Sequence, residues 1–410
     1  MNKFIVFNCG YNGHSIIRDL GREGIKGYAL DTWKSVGTYS RYAKYIPVAD
    51  PKKSEKDFID QLIGICQKEP EKPLLFATND EWVAAISKNK EILKQVSIPV
   101  VSDWGAVKMV LDKSLFYQLG AERGYETPKT WKSTALENIP DNEFPLIIKP
   151  IWRRMTSDWG KQYSTKNLDN IRFILVRNKE EAWKGLLEHS AVLDHILLQS
   201  YIPGVSDCKY SIGVYANSSS EVLAMFKGRK KRGYPAAYGD TVVGETAEIP
   251  DHIVQLINRC TKEIGLEGIL EFEFLYDSSR NKFWLLEINP RSWSWVGVTR
   301  YAGVSLPWLA YKDRVGLPVD LGQHQQKYKE KELIYMNVSQ DFNNALFRYK
   351  EDYPEWHQTL FSWIKDLRKA PAKKIVFADL FRDDIGPTRY SIKAGLNSFW
   401  RNIRNKQDDE

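Results

Sequence analysis

The sequence predicts an α/β and α+β protein. An open α/β domain comes first, then a larger mixed domain of hairpins and helices, then a mostly helical C-terminal extension. Three observations carry this. Apolar, β-rich runs alternate with helical periodicity through the first hundred residues. Two long hairpin patterns follow between Cys208 and Arg291. Beyond about Gly316 the alternation fades into aromatic-rich helical pieces with a basic end. The boundaries read as 1–103, 104–315 and 316–410.

The first domain opens with KFIVFN, a strand, and CGYNGHSIIRDLGREG, a glycine turn leading into a helix with Ile16, Ile17 and Leu20 on one side. KGYALD is the second strand. Gly10 and Gly13 make only part of a dinucleotide fingerprint, so the turn reads as structural. PLLFATND (73–80) and SIPVVSD (97–103) are further strands, with a helix between them over EWVAAISKNKEILKQ. The second domain starts with a helix over VKMVLDKSLFYQLGAERG, closed by glycine. FPLIIKP (144–150) is a strand ending in a lysine before proline. A strand and helix follow, then the strand and turn HILLQSYIPG (195–204). Next come a hairpin leading into a basic loop from Lys227 to Arg232, and a second hairpin over 268–291.

Composition narrows the functional classes. The chain has 410 residues, 43% hydrophobic and 27% charged, as in a water-soluble globular protein. No apolar run approaches the roughly 20 residues of a membrane span. The N-terminus lacks a small-residue cleavage site and reads as a strand. Cys9, Cys66, Cys208 and Cys260 are widely spaced, which suits reduced thiols and a cytoplasmic location. Zinc is disfavoured by the scattered histidines. A net charge of +7 suits anionic substrates and is too small to point to nucleic acid.

Chemistry concentrates in the second hairpin. Glu271 and Glu273 share one strand face, and Glu287 and Asn289 share a face of the next. Antiparallel pairing brings Glu273 opposite Glu287. Opposed acids destabilise a sheet unless something neutralises them. Two carboxylates and an amide suit Mg²⁺ (or Mn²⁺), with its shell completed by phosphate and water. Arg291 follows, with the fork geometry that grips a phosphate. Lys149 at a buried strand end and Lys113 at a helix start supply point charges for phosphates. Gln199, Tyr201 and Ile202 lie where an extended segment can meet an adenine, and Asp207 is placed to accept from a ribose hydroxyl.

The ordered set DK (112–113), FPLIIKP, LLQSYIPG, GILEFEF (268–274) and LLEINPR (285–291) resembles the ATP-grasp superfamily of carboxylate–amine ligases, over about residues 1–310. Within it the chain looks most like the D-aspartate ligase-like amino-acid ligases. The resemblance implies a two-lobed nucleotide-binding domain. It implies ATP phosphates on Lys113 and Lys149, adenine beside Gln199, Tyr201 and Ile202, and ribose at Asp207. It implies Mg²⁺ on Glu273, Glu287 and Asn289, and Arg291 on the transferring phosphoryl group. Lys231 and Arg232 would face the γ-phosphate or the carboxylate substrate. The expected product is an amide or peptide bond made through an acyl-phosphate, in cell-envelope, polysaccharide or secondary-metabolite chemistry. A phosphotransferase or carboxylase without an amine acceptor, and a non-catalytic nucleotide-binding scaffold, are the rivals.

Two features stand apart. Relatives carry a glycine-rich loop after the strand lysine, whereas this chain has IWRRMTSDWGK; Arg153 and Arg154 either replace its backbone contacts or recognise an acidic acceptor. From Arg389 to Lys406 there are five basic residues and no acid, with Ile392, Leu396, Phe399, Trp400 and Ile403 at helical spacing. This helix either packs on its own domain or lies on an anionic membrane. A homodimer is compatible with the sequence.

Overall fold

The computed structural model describes residues 1–152, 173–204, 208–234, 239–349, 360–369 and 372–408. Strands β1 (Phe4–Phe7), β2 (Gly27–Asp31), β3 (Ala43–Pro47), β4 (Leu74–Ala77) and β5 (Ile98–Pro99) form a parallel sheet in the order β3-β2-β1-β4-β5. All four residues of β1 are fully buried, as expected of a central strand covered on both faces. The edge strand β3 and the helix Glu55–Cys66 add to the predicted pattern. Strand β3 is half-exposed along its length, which blurs its apolar signal.

The single helix expected from Val107 is broken at Asp112. Its backbone is extended, and its carboxylate accepts from the N–H groups of Ser114 and Leu115 at 2.9 and 3.1 Å. An N-cap therefore ends one helix, Trp104–Leu111, and starts another, Lys113–Arg123. Gly124, at φ 65°, closes the second. Lys113 is thereby set at the first position of a helix.

A small lobe follows. Strands β6 (Thr130–Lys132), β7 (Leu146–Pro150), β8 (Ile174–Val176) and β9 (Ile196–Ser200) pair antiparallel in the order β6-β9-β7-β8. Helix Lys179–Glu188 covers them, burying Ala182 and Leu186 against Leu146, Ile148 and Leu198.

The largest sheet comprises β10 (Lys209–Ala216), β11 (Val222–Tyr234), β12 (Asp240–Thr246), β13 (Gly268–Asp277), β14 (Lys282–Asn289), β15 (Leu333–Met336) and β16 (Lys374–Phe377). Its order is β14-β13-β10-β11-β12-β15-β16. One expectation is corrected here. The segment Lys227 to Arg232 is not a loop but part of β11. The mostly helical region after Gly316 also contributes β15 and β16, which extend this sheet beyond β12.

Helix Asp251–Ile264 buries Ile253, Ile257 and Cys260 in a core with Leu270 and Phe272. Trp293 and Trp295, straight after the hairpin, join Phe4, Val6, Ile16 and Leu20 of the first domain in one continuous core. They fit because glycines lie beneath them. A Cβ at Gly213 would sit 1.8 Å from Trp293, and Cβ atoms at Gly228 and Gly244 would sit 2.5 and 2.7 Å from Trp295.

The C-terminal region is tied to the first domain. Asp384 accepts from Ser40 Oγ at 2.5 Å, pairs with His14 Nε2 at 3.0 Å, and accepts from the Arg41 N–H at 3.0 Å. Asp383 pairs with Arg18 and Arg22 at 2.5 and 2.8 Å, and these arginines hold its carboxyl well below the usual range. No described helix is long and apolar enough to cross a membrane.

Gly213→Ala is expected to destabilise the fold by about 1–3 kcal/mol, the usual cost of overpacking. Urea unfolding would check this, and a variant as stable as the wild type would show that the tryptophan shelf yields.

Candidate active site

One cavity of about 730 Å³ opens between the small lobe, the large sheet and the first domain. Of the residues singled out from sequence, Lys113, Lys149, Gln199, Tyr201, Ile202, Glu273, Glu287 and Arg291 line it. Residues more than 170 positions apart in the chain thus meet at one place. Asp207, Arg153 and Arg154 lie outside the described residues.

The hairpin register is the expected one. Glu273 pairs with Glu287, and Glu271 with Asn289. The Asn289 amide is nearly buried and donates to Glu271 Oε2 and Glu273 Oε1, both at 3.0 Å. Its Oδ1 therefore points away from these acids and accepts from Arg291 Nη2 at 3.1 Å. Ser211 donates to the other oxygen of Glu271. Burial raises Glu271 to about 7 and Glu273 well above its ordinary value, with repulsion from Glu287 adding to both. Lys113 approaches Glu287 at 3.5 Å.

The lysine of β7 is held just as tightly. Lys149 Nζ donates to Tyr117 Oη at 2.8 Å and Gln199 Oε1 at 3.1 Å. Tyr117 Oη in turn donates to the Leu286 carbonyl at 2.5 Å. Gln199 donates to Thr130 Oγ1 at 2.8 Å, so its amide orients the lysine. Burial lowers the Lys149 ammonium to about 8, against the pull of Glu287 and Glu273. Tyr201 and Ile202 line the same cavity as the apolar side chains of Pro128, Ile147, Phe173, Leu175 and Leu286.

Arg291 is pinned from the first domain. Its Nε donates to Asp80 Oδ1 at 2.5 Å, and its Nη1 to the Ser292 carbonyl at 3.1 Å. Asp80 opens the helix Asp80–Lys88. Asn12 fixes the next stretch of chain, donating to the carbonyls of Thr78 and Ser292 at 2.9 and 3.0 Å.

The expectation for Lys231 and Arg232 is corrected. Neither lines the cavity. Arg232 is buried in an ion pair with Asp341 at 2.7 Å, where Tyr349 and Trp363 also donate. The register shifts between Lys230 and Arg232, so Lys231 is the extra residue of a bulge. The bulge turns Arg232 away and leaves Lys230 as the cavity-lining cation, bonded to the Gly239 carbonyl.

Sequence reasoning passed over Tyr117, Asp80 and Ser211, and left Glu271 without a role. Lys230 lies within the basic segment Lys227 to Arg232, expected to face the γ-phosphate or the carboxylate substrate, and it does line the cavity. Glu271 carried a signal, its period-two spacing from Glu273. Tyr117, Asp80 and Ser211 depend on contacts across the fold.

A family profile described as "ATP-grasp in the biosynthetic pathway with Ter operon" matches residues 193–340, the part that carries the acidic hairpin and the β9 segment. The matched segment is similar to this ATP-grasp family. The D-aspartate ligase of Enterococcus faecium (strain Aus0004) is 24% identical over 335 residues, covering 76% of this chain and 77% of that protein. The fold resembles the ADP complex of N5-carboxyaminoimidazole synthetase from Staphylococcus aureus, with a TM-score of 0.62, 16% identity and 87% of each chain covered. It also resembles the L-amino acid ligase of Bacillus licheniformis, with a TM-score of 0.57, 14% identity, and 79% of this chain and 76% of that chain covered.

Glu273 and Glu287 oppose each other and both line the cavity, a carboxylate pair that suits a hard cation. Asn289, expected as the third donor, does not line the cavity, and its Oδ1 is taken by Arg291. Among the described residues no group of three or more His, Cys, Asp and Glu forms an all-protein cage.

Because Lys149 must be protonated to bind phosphate, nucleotide affinity is expected to weaken as pH rises through about 8. Calorimetric titration with Mg-ADP between pH 7 and 9 would measure this. Lys149→Met should bind at least about tenfold more weakly at neutral pH and lose that pH dependence. A pH-independent affinity in the wild type would remove Lys149 from the phosphate site.

Proposed function

We propose that the chain is an ATP-dependent carboxylate–amine ligase that forms an amide or peptide bond through an acyl-phosphate. The observation that carries this is the convergence of Lys113, Lys149, Glu273, Glu287 and Arg291 on one cavity with both apolar and polar lining. The apolar side chains take the adenine. Asn8, Asn12, Asn79 and Lys230 face the substrates. Similarity to a D-aspartate ligase and an L-amino acid ligase supports an amino acid as one partner.

The mechanism follows from the placement. Lys149, steered by Tyr117 and Gln199, and Lys113 neutralise the nucleotide phosphates. Glu273 and Glu287 would hold Mg²⁺ (or Mn²⁺), which supplies charge neutralisation to the transferring phosphoryl group. A carboxylate oxygen attacks the γ-phosphorus, the bond to the β-phosphate oxygen breaks, and ADP leaves. Arg291, pinned by Asp80, faces the charge on the equatorial oxygens. The amine then attacks the acyl carbon, loses a proton, and expels inorganic phosphate. No covalent enzyme intermediate is needed. The reaction draws on cytoplasmic ATP, and the chemistry suits assembly of envelope polymers, polysaccharides or secondary metabolites.

The test is ADP release from Mg-ATP with a panel of amino acids and small or sugar-linked carboxylates, with hydroxylamine present to trap the acyl-phosphate. A hydroxamate is expected with one of them. Glu287→Ala should lose about a hundredfold or more in turnover while its thermal unfolding stays close to that of the wild type. A fully active Glu287→Ala enzyme would refute the metal assignment. ADP release with no hydroxamate from any carboxylate would refute the acyl-phosphate.

A further inference from the structure

The basic C-terminal helix has one face docked and one face uncovered. On the docked side, the Tyr390 ring stacks on Tyr39 at 5.1 Å, and the buried Ser391 hydroxyl accepts from Tyr11 at 3.2 Å. The Gly395 carbonyl accepts from Asn343 at 3.3 Å, and Phe399 packs on Phe347 at 5.6 Å. The helix Ile385–Asp408 is therefore fixed against both the first domain and the helix Val338–Phe347.

The outer side is apolar where a soluble helix is usually polar. Ile385 is 55% exposed, Ile392 46%, Leu396 55% and Trp400 58%. The last three are spaced by four and form one line along the helix. Arg389, Lys393, Arg401 and Arg404 are exposed beside this line. No acid occurs between Ile385 and Gln407. The acid just before the helix, Asp384, is turned inward onto His14 and Ser40.

We infer that this face docks on an anionic lipid surface. The helix lies in the plane of the headgroups. Ile392, Leu396 and Trp400 enter the acyl boundary while Arg389, Lys393, Arg401 and Arg404 meet the phosphates. Charge complementarity selects this occupant, because a second copy of the same all-basic face would repel it. The helix lies on the surface without crossing it, since it is neither long nor apolar enough to span. Its docked side holds the cavity at a constant distance from the bilayer. The inference is independent of what the cavity does.

The test is flotation of the full chain with vesicles of phosphatidylcholine alone and with one third phosphatidylglycerol. Binding to the anionic vesicles only is expected, weakening as salt rises. Leu396→Glu/Trp400→Glu should lose at least about tenfold in partitioning, as should the milder Lys393→Gln/Arg404→Gln, each keeping the wild-type circular dichroism and nucleotide affinity. Failure to float with anionic vesicles at low salt would overturn the inference. So would equal flotation of the variants, or a dimer in sedimentation velocity that Leu396→Glu/Trp400→Glu dissociates.

Discussion

The site depends on a repulsion built into a hairpin. Strands β13 and β14 place Glu273 directly opposite Glu287, with Glu271 two pairs further along on the same face. Like charges at this spacing, partly withdrawn from water, oppose folding. The fold meets that cost locally. Asn289 inserts its amide N–H groups between Glu271 and Glu273, Ser211 donates to Glu271, and Lys113 stands over Glu287. The carboxylates of Glu271, Glu273 and Glu287 line the cavity, and Asn289 turns its Oδ1 toward the Arg291 guanidinium.

The rest of the molecule keeps this arrangement rigid. The chain leaving the hairpin is anchored at once, by Arg291 on Asp80 and by Ser292 on Asn12. Trp293 and Trp295 then bury themselves over glycines of the large sheet and join the first-domain core. The first domain is thus a wall of the site as well as a neighbour of it. The C-terminal strands extend the same sheet, and Asp383 and Asp384 fasten their far end to the helix Tyr11–Arg22. Small displacements at the hairpin have little room to propagate, as catalytic geometry requires.

The fold class was legible because its signals are local. Parallel strands such as FIVF are uniformly apolar, and the acidic hairpin shows the period of two that also set its register. The pairing of Glu273 with Glu287 needs a bulge as well: Phe274 pairs with Leu285, so Leu286 is the extra residue that brings Glu287 opposite Glu273. What stayed hidden depends on distant chain. Tyr117 reaches Lys149 across 32 residues, and Asp80 reaches Arg291 across 211. No spacing rule reports such contacts. The misplacement of Arg232 has a different cause. One extra residue in β11 reverses the alternation, and a bulge in a basic, glycine-containing run looks like a loop. The helix start at Lys113 was legible in the DK pair, but the separate helix Trp104–Leu111 before it was not, because the apolar pattern runs on through Asp112, whose carboxylate caps the new helix.

Burial and the neighbouring Glu287 carboxylate hold Glu271 and Glu273 above the usual glutamate range. Glu271 and Glu273 keep protons in the folded chain at pH values where the unfolded chain has released them. The folded state therefore binds more protons between the ordinary glutamate range and about pH 7, and stability in this window falls as pH rises. Urea unfolding in EDTA from pH 5 to pH 8, for wild type beside Glu273→Gln, measures this directly. A decline is expected in the wild type that is shallower in the variant, where Glu271 alone stays raised, with Mg-ADP restoring stability at pH 8 in the wild type far more than in the variant. Identical pH profiles, with equal gains from Mg-ADP, would contradict it.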